Sequence, residues 1–147
     1  MIAVIQRCSQ GKVTVSDKVV GKISNGLVIL LGVQKNDTEK DANFLVNKIS
    51  GLRIFSDEND KMNLSIKDVN GSALVISQFT LCGDTKKGRR PSFIKAATPD
   101  DGNQLYEYFM SEMKKGGVPI ESGEFGALMD VELVNNGPVT FVLNSKD

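Results

Sequence analysis

The sequence of 147 residues predicts an α+β fold, a single domain of mainly antiparallel, barrel-like β-sheet with two packed α-helices. Three observations carry this prediction. Runs rich in β-branched residues dominate the first third, two later segments have capped apolar helix faces, and no linker or low-complexity tract interrupts the chain. Because 40% of the residues are hydrophobic and 24% are charged, we assign residues 1–147 to one globular domain with a sizeable core.

The first third is predicted to consist of β-strands. Alternating and β-branched residues place strands at 2–8, 12–15 and 19–23. Asn25-Gly26 is typical of a hairpin turn. The continuous apolar run at 27–31 that follows predicts a central strand buried on both faces.

Two helices are predicted next. Residues 36–39 supply capping and acidic side chains before the first helix, and Gly51 is placed as the residue just after its end. The second helix has Thr98 as its N-cap and Pro99 at its first position, and it ends before Gly116. Each helix has an apolar face with helical spacing: Ala42, Leu45, Val46 and Ile49 in the first, and Leu105, Phe109 and Met113 in the second.

The remaining strands are predicted at 52–55, 62–66 and 73–79, and as a final pair at 128–134 and 139–143. Between the members of that pair, Asn136-Gly137 is interpreted as a tight hairpin turn, with Pro138 opening the last strand. The sequence leaves the isomer of the Gly137-Pro138 bond open, because both isomers of such bonds occur in folded proteins.

The composition excludes whole classes of chemistry. The chain has no histidine, which removes Ser-His-Asp and Cys-His catalysis and every metal site that contains histidine. Cys8 and Cys82 are interpreted as small buried apolar residues in a reducing compartment. Since 18 basic residues balance 18 acidic ones and no apolar segment is long enough for a span or signal peptide, we expect a cytoplasmic protein without a membrane partner.

A basic loop and a polar strand end are the candidate functional features. The basic loop carries four cations within five positions, and we define it by Lys86, Lys87, Arg89 and Arg90. By itself this pattern fits either a phosphate-binding loop or a merely solvated one. Ser77, Gln78, Phe79 and Thr80 end an apolar strand with hydroxyls, a carboxamide and freed backbone N–H groups, which are the parts of an oxyanion hole.

These features, read together, resemble the D-aminoacyl-tRNA deacylase family, the bacterial and eukaryotic type. The matching words run in order through nearly the whole chain: Met1-Ile2-Ala3-Val4-Ile5-Gln6-Arg7, Gly32-Val33, Arg53-Ile54-Phe55-Ser56-Asp57, Lys61-Met62-Asn63-Leu64, Ser77-Gln78-Phe79-Thr80-Leu81, Arg90-Pro91-Ser92-Phe93 and Asn136-Gly137-Pro138-Val139-Thr140-Phe141. Each of these sequence segments is weak evidence alone, but the order, spacing and coverage of the segments make the match specific.

The resemblance implies a homodimeric hydrolase that cleaves the ester linking a D-amino acid, or glycine, to the 3′ end of tRNA. It implies that Gly137 and Pro138, joined by a cis bond, enter the partner subunit's pocket as a main-chain chirality filter. Arg7 and Asn136 are implied as supporting residues for that filter. The four cations of the basic loop would approach the phosphates of the tRNA acceptor stem, and neither DNA, a metal nor a cofactor is expected.

Two mechanisms stay open for the cleavage. In the favoured one, the backbone N–H groups of Phe79 and Thr80 stabilise the oxyanion, Ser77 and Gln78 shape the turn, and the vicinal 2′-hydroxyl of the terminal ribose assists water. In the other, Thr80 is a covalent nucleophile. This mechanism is less favoured because the chain, which has no histidine, offers no base to activate the Thr80 hydroxyl.

Two other functions remain as alternatives to the enzyme. A catalytically silent tRNA-binding module would use the basic loop and release no amino acid. A small metabolite-binding domain would explain the core but leave the basic loop without a role.

Overall fold

The first strand organises the sheet of the computed structural model, which describes residues Met1–Asp147. This strand, β1 (Ile2–Val15), pairs antiparallel through its later half with β2 (Lys18–Ile23) and through its earlier half with β3 (Gly26–Gly32). On its opposite edge it pairs antiparallel with β8 (Asp130–Asn144), again over both halves. β2 and β3 therefore follow one another along a single edge of β1.

This arrangement shows that two predicted hairpin turns are wrong. Asn25-Gly26 is not a hairpin tip, because β2 and β3 pair with β1 rather than with each other. Close packing explains the glycine instead, since a Cβ on Gly26 would lie 1.8 Å from the carbonyl oxygen of Ser72. Asn136-Gly137 is not a hairpin tip either, because both halves of β8 run in the same direction along β1. The strands predicted at 2–8 and 12–15 are likewise one strand.

The fold class is confirmed, although the sheet is more mixed than the sequence suggested. β3 pairs in parallel with β6 (Ser72–Ser77), which pairs in parallel with β7 (Ile120–Ser122), a strand that was not predicted from the sequence. Parallel neighbours need long crossover connections. The two helices, α1 (Glu39–Gly51) and α2 (Pro99–Lys115), lie in these two connections.

The ends of the helices largely follow their predicted capping signals. Thr38 caps α1 in a capping box with Asp41, and Thr98 caps α2 with Pro99 in the first turn. Gly51 was predicted to lie beyond α1, but it is the last helical residue and Leu52 is the C-cap.

The short elements are shifted from their predicted bounds. β4 (Phe55–Ser56) and β5 (Met62–Leu64) form a separate two-stranded sheet, where the sequence predicted strands at 52–55 and 62–66. β6 stops at Ser77 rather than at residue 79, because the chain turns there into a short 3-10 helix at Phe79–Cys82.

The core lies on both faces of β3, as its apolar run predicted. Leu27, Ile29 and Leu31 face the larger apolar cluster shared with α1 and α2, whereas Val28 packs with Leu74 in a smaller cluster on the other face. The sheet curls around that smaller cluster and nearly closes where the backbone N–H of Lys22 in β2 donates to Glu121 in β7 at 3.2 Å. No helix is both long and apolar enough to cross a membrane.

Ionic contacts tie the start of β1 and the end of β8 to the first turn of α1 and to the segment just before it. The α-ammonium of Met1 lies 2.9 Å from Asp37, and the Lys146 ammonium lies 2.8 Å from Asp41. Burial of Asp41 opposes its ionisation, but hydrogen bonds from Lys146, the Thr38 N–H and Ser145 outweigh that effect and hold its pKa well below the usual range. The thiols of Cys8 and Cys82 are free and buried, as predicted.

Candidate active site

A cavity of about 450 Å³ lies where β6 ends and α2 begins. Its walls come from residues 76–80 at the end of β6, residues 97–99 and Gly102 at the start of α2, and residues 125–129 before β8. All four residues of the predicted Ser-Gln-Phe-Thr strand end therefore lie together in one cavity.

The 3-10 helix presents unpaired backbone donors at this cavity. The N–H groups of Phe79 and Thr80 donate to no backbone carbonyl, since they open the helix, whereas Leu81 N donates to Gln78 O at 3.2 Å. Two adjacent free N–H groups can stabilise a developing oxyanion, which is the electrostatic role predicted for this segment.

The cavity has no side chain that can act as a base. None of its lining residues is titratable, and the Thr80 hydroxyl oxygen accepts a hydrogen bond from the Gln78 carboxamide nitrogen. A carboxamide nitrogen cannot remove a proton, so this hydrogen bond does not activate the Thr80 hydroxyl as a nucleophile. Cys82 lies nearby, but burial raises the pKa of its thiol, which donates to Val33 O at 3.5 Å.

Gly137 and Pro138 form a bulge at the sheet rather than part of this cavity. Between two regular pairs of β1 and β8, β8 has the four residues from Asn136 to Val139 where β1 has only Arg7. Asn136, Gly137 and Pro138 are exposed, and the Gly137-Pro138 bond is cis. Asn135 braces the bulge, because its Oδ1 accepts from Val139 N at 2.9 Å.

Arg7 connects this bulge to the segment before β4. Its Nε donates to Asn136 O at 3.0 Å and its Nη1 donates to Ile54 O at 2.9 Å. Arg7, Asn136, Gly137 and Pro138 therefore form one cluster, and none of them lines the cavity within the same chain.

The basic loop lies on a third surface beside the 3-10 helix. Its base is closed by reciprocal backbone hydrogen bonds between Asp84 and Ser92, of 2.8 and 2.9 Å. The N–H of Lys86, together with Lys95, holds the pKa of Asp84 below its usual value. The four cations of the basic loop are exposed and take part in no ion pair.

One wall of the cavity was not predicted from the sequence. Residues 125–129 line it, although 128 and 129 were predicted to begin a strand; β8 starts instead at Asp130, and Leu128 is 94% exposed. Gly123 and Gly126, which bracket Phe125, were the available signal for a loop in this region.

Comparisons with known proteins agree with this architecture. The family model described as D-Tyr-tRNA(Tyr) deacylase matches residues 4–144. A D-aminoacyl-tRNA deacylase of Thermotoga petrophila is 55% identical, with 99% of this chain and 97% of the relative covered, and one of Bacillus cereus is 53% identical, with 99% and 100% covered.

Two solved structures share the fold. One, described as c-Myc DNA Unwinding Element Binding Protein, has a TM-score of 0.93 and 37% identity, with 98% of each chain covered. The other, described as a probable eukaryotic D-amino acid tRNA deacylase, has a TM-score of 0.82 and 19% identity, with 97% of this chain and 98% of that chain covered.

These matches define a deacylase, and hence an enzyme of the hydrolase class. The chain belongs to the D-Tyr-tRNA(Tyr) deacylase family, which confirms the resemblance read from its sequence.

The bulge yields a prediction about stability. Gly137 has φ +136°, and an added Cβ would lie 2.7 Å from Val139 Cγ2 and 3.1 Å from Arg7 Nη2. We expect Gly137→Ala to lower the free energy of unfolding by about 2–3 kcal/mol, measured by urea denaturation.

Gly88→Ala is the matched control for that substitution. Gly88 also has a positive φ, of +66°, but an added Cβ there meets nothing within 4 Å. Its cost should be about 1 kcal/mol, from the left-handed conformation alone. Equal losses of unfolding free energy in the two variants would contradict the predicted clash of the added Cβ with Val139 and Arg7.

Proposed function

We propose that the protein hydrolyses the ester bond of D-aminoacyl-tRNA, and of mischarged glycyl-tRNA, and releases free tRNA and the amino acid. This is a chiral proofreading step of translation. The observation that carries the proposal is the cavity of this deacylase-family chain, which offers unpaired backbone donors but no titratable side chain. An aminoacyl ester is already activated, so a site that only orients it and stabilises an oxyanion is sufficient.

The cleavage can be written from these groups. Water adds to the ester carbonyl carbon, and the negative charge that develops on the carbonyl oxygen is met by the N–H groups of Phe79 and Thr80. The bond from that carbon to the ribose 3′-oxygen then breaks, and the oxygen leaves with a proton derived from the water. The vicinal 2′-hydroxyl positions the water, while Ser77 and Gln78 shape the turn that carries the donors.

The chirality filter is assigned to Gly137 and Pro138 of a second subunit. The exposed bulge does not line its own chain's cavity, so it is free to enter another. β8 pairs only with β1, so its other edge is free for a second copy, and exposed apolar side chains lie on or just before this strand: Leu128, Val131, Val134, Phe141 and Val142. A main-chain wall rejects the L-enantiomer sterically while tolerating side chains of many sizes.

The stereochemical prediction is tested with matched D-tyrosyl-tRNA and L-tyrosyl-tRNA at catalytic enzyme concentrations. We expect the D ester to be hydrolysed at least about 100-fold faster, because only the L side chain meets the main-chain wall. The same preparation should sediment as a dimer.

The alternatives give different results in that assay. A folded protein that binds tRNA but releases neither amino acid would be the catalytically silent module instead. A fully active monomer would contradict the assignment of the filter to a second subunit.

A second prediction separates the two mechanisms. We expect Thr80→Ala and Thr80→Ser both to retain deacylation rates within about threefold of the original, because Thr80 acts through its backbone N–H and has no base. Loss of a true nucleophile costs on the order of 10⁶-fold, so a comparable loss in the alanine variant with rescue by serine would establish covalent catalysis. Thermal unfolding verifies that each variant is folded.

A third prediction concerns the basic loop, whose four cations we place near the acceptor-stem phosphates. Replacement of all four by glutamine should weaken tRNA binding and reduce the slope of log affinity against log salt by about one unit for each phosphate that is no longer neutralised. The control is the pair Lys114→Gln and Lys115→Gln at the far end of α2. Equal salt-dependence slopes for the two variants would mean that the basic loop is merely solvated and does not contact the tRNA phosphates.

A further inference from the structure

One aromatic side chain anchors the start of the cavity wall formed by residues 125–129, and Met129 at the end of this wall packs on the smaller apolar cluster. Phe125 is half-buried against the main core, and its ring centroid lies 5.8 Å from that of Tyr106 on α2, with the ring planes at 46°. Leu128, further along the same segment, is almost fully exposed. The position of the Phe125 end of this wall therefore depends on how the Phe125 ring packs on α2.

A glycine lies directly beneath that ring. Gly102 is buried in the first turn of α2, where its N–H donates to Thr98 O at 2.8 Å. A Cβ added to Gly102 would lie 3.3 Å from Phe125 Cζ and 3.7 Å from Cε2, and it would meet no other residue within 4 Å. Glycine is unfavourable inside a helix, and Gly102 has no positive φ that would call for it. The feature that accounts for glycine here is the space taken by the Phe125 ring.

The same face of α2 also holds the opposite wall. The Tyr106 hydroxyl donates to Val75 O in β6 at 3.0 Å, two residues before Ser77. Burial raises the pKa of Tyr106 to about 12, so this hydroxyl remains a protonated donor. One helix turn therefore sets the distance between the Phe125 segment and the strand that leads to the backbone donors.

We propose that Gly102 is a positioning residue for the reaction, acting through Phe125. Its missing side chain lets the Phe125 ring rest on α2, and this sets the width of the cavity that receives the aminoacyl end of the tRNA. The inference rests on the proposed function for its substrate, but the placement of the wall is independent of it. A methyl group at position 102 displaces the ring by a few tenths of an ångström, and the wall at 126–129 moves with it.

The test is Gly102→Ala, with Gly51→Ala as the matched control. Both glycines are helical, but an added Cβ on Gly51 meets nothing within 4 Å. Both variants should keep or raise the Tm, because alanine is the better helix former. We expect only Gly102→Ala to lower kcat for D-tyrosyl-tRNA, by about fivefold to tenfold, with KM changed less than about twofold, because binding of the distant tRNA body is intact.

Phe125→Leu identifies the route of the effect. Leucine is too short to meet the added methyl group, so Gly102→Ala should cause no further loss in the Phe125→Leu background. The same fractional loss in both backgrounds would mean that the methyl group acts directly on the substrate, which overturns the proposal. Equal activity of Gly102→Ala and Gly51→Ala would overturn it as well.

A readout without substrate separates this inference from the proposed function. The methyl resonances of Ala127 and Met129 report the position of the wall, and we expect them to shift in Gly102→Ala but not in Gly51→Ala. Unchanged resonances would refute the positioning role even in an active enzyme. If the unsubstituted protein hydrolyses neither ester, the proposed function is refuted. A shift of the Ala127 and Met129 resonances in Gly102→Ala would still support the placement of the wall by Gly102.

Discussion

Pairing of β1 along both of its edges is the constraint on which the rest of the structure depends. β3 takes its position from one edge, and β6 with its 3-10 helix takes its position from β3. β8 and its bulge take theirs from the other edge. Because an unpaired buried backbone group is costly, the register of this one strand determines where both parts of the candidate site lie.

Arg7 shows how directly the site depends on β1. It is itself a β1 residue, at the point where β8 bulges, and its guanidinium satisfies the carbonyls of Asn136 and Ile54. An arginine fork can bond two carbonyls from separate segments at once, which a lysine ammonium does with less geometric control. The bulge interrupts the pairing of β8 with β1, and a β1 residue, Arg7, holds it in place.

Several local features of the fold were predicted correctly from the sequence. Thr98 and Pro99 begin α2 as expected, the apolar run of β3 is buried on both faces, and the Ser77–Thr80 strand end lies in the cavity. The prediction failed at Asn25-Gly26, where a turn signal was in fact a glycine needed for close packing against Ser72. Turn statistics cannot distinguish these two reasons for a glycine, since the neighbour that requires it lies far away in the chain.

The sequence by itself determined the family, the fold class, the N-caps of both helices and the absence of imidazole chemistry, because each depends on residue identity or on residues a few positions apart. Tertiary structure alone decided that Gly137-Pro138 projects as a bulge, that Phe125 and Gly102 shape a cavity wall, and that the two candidate clusters lie apart within one chain. The physical reason is separation along the chain. Arg7 and Asn136 are 129 positions apart, and only the pairing of β1 with β8 brings them within hydrogen-bonding distance.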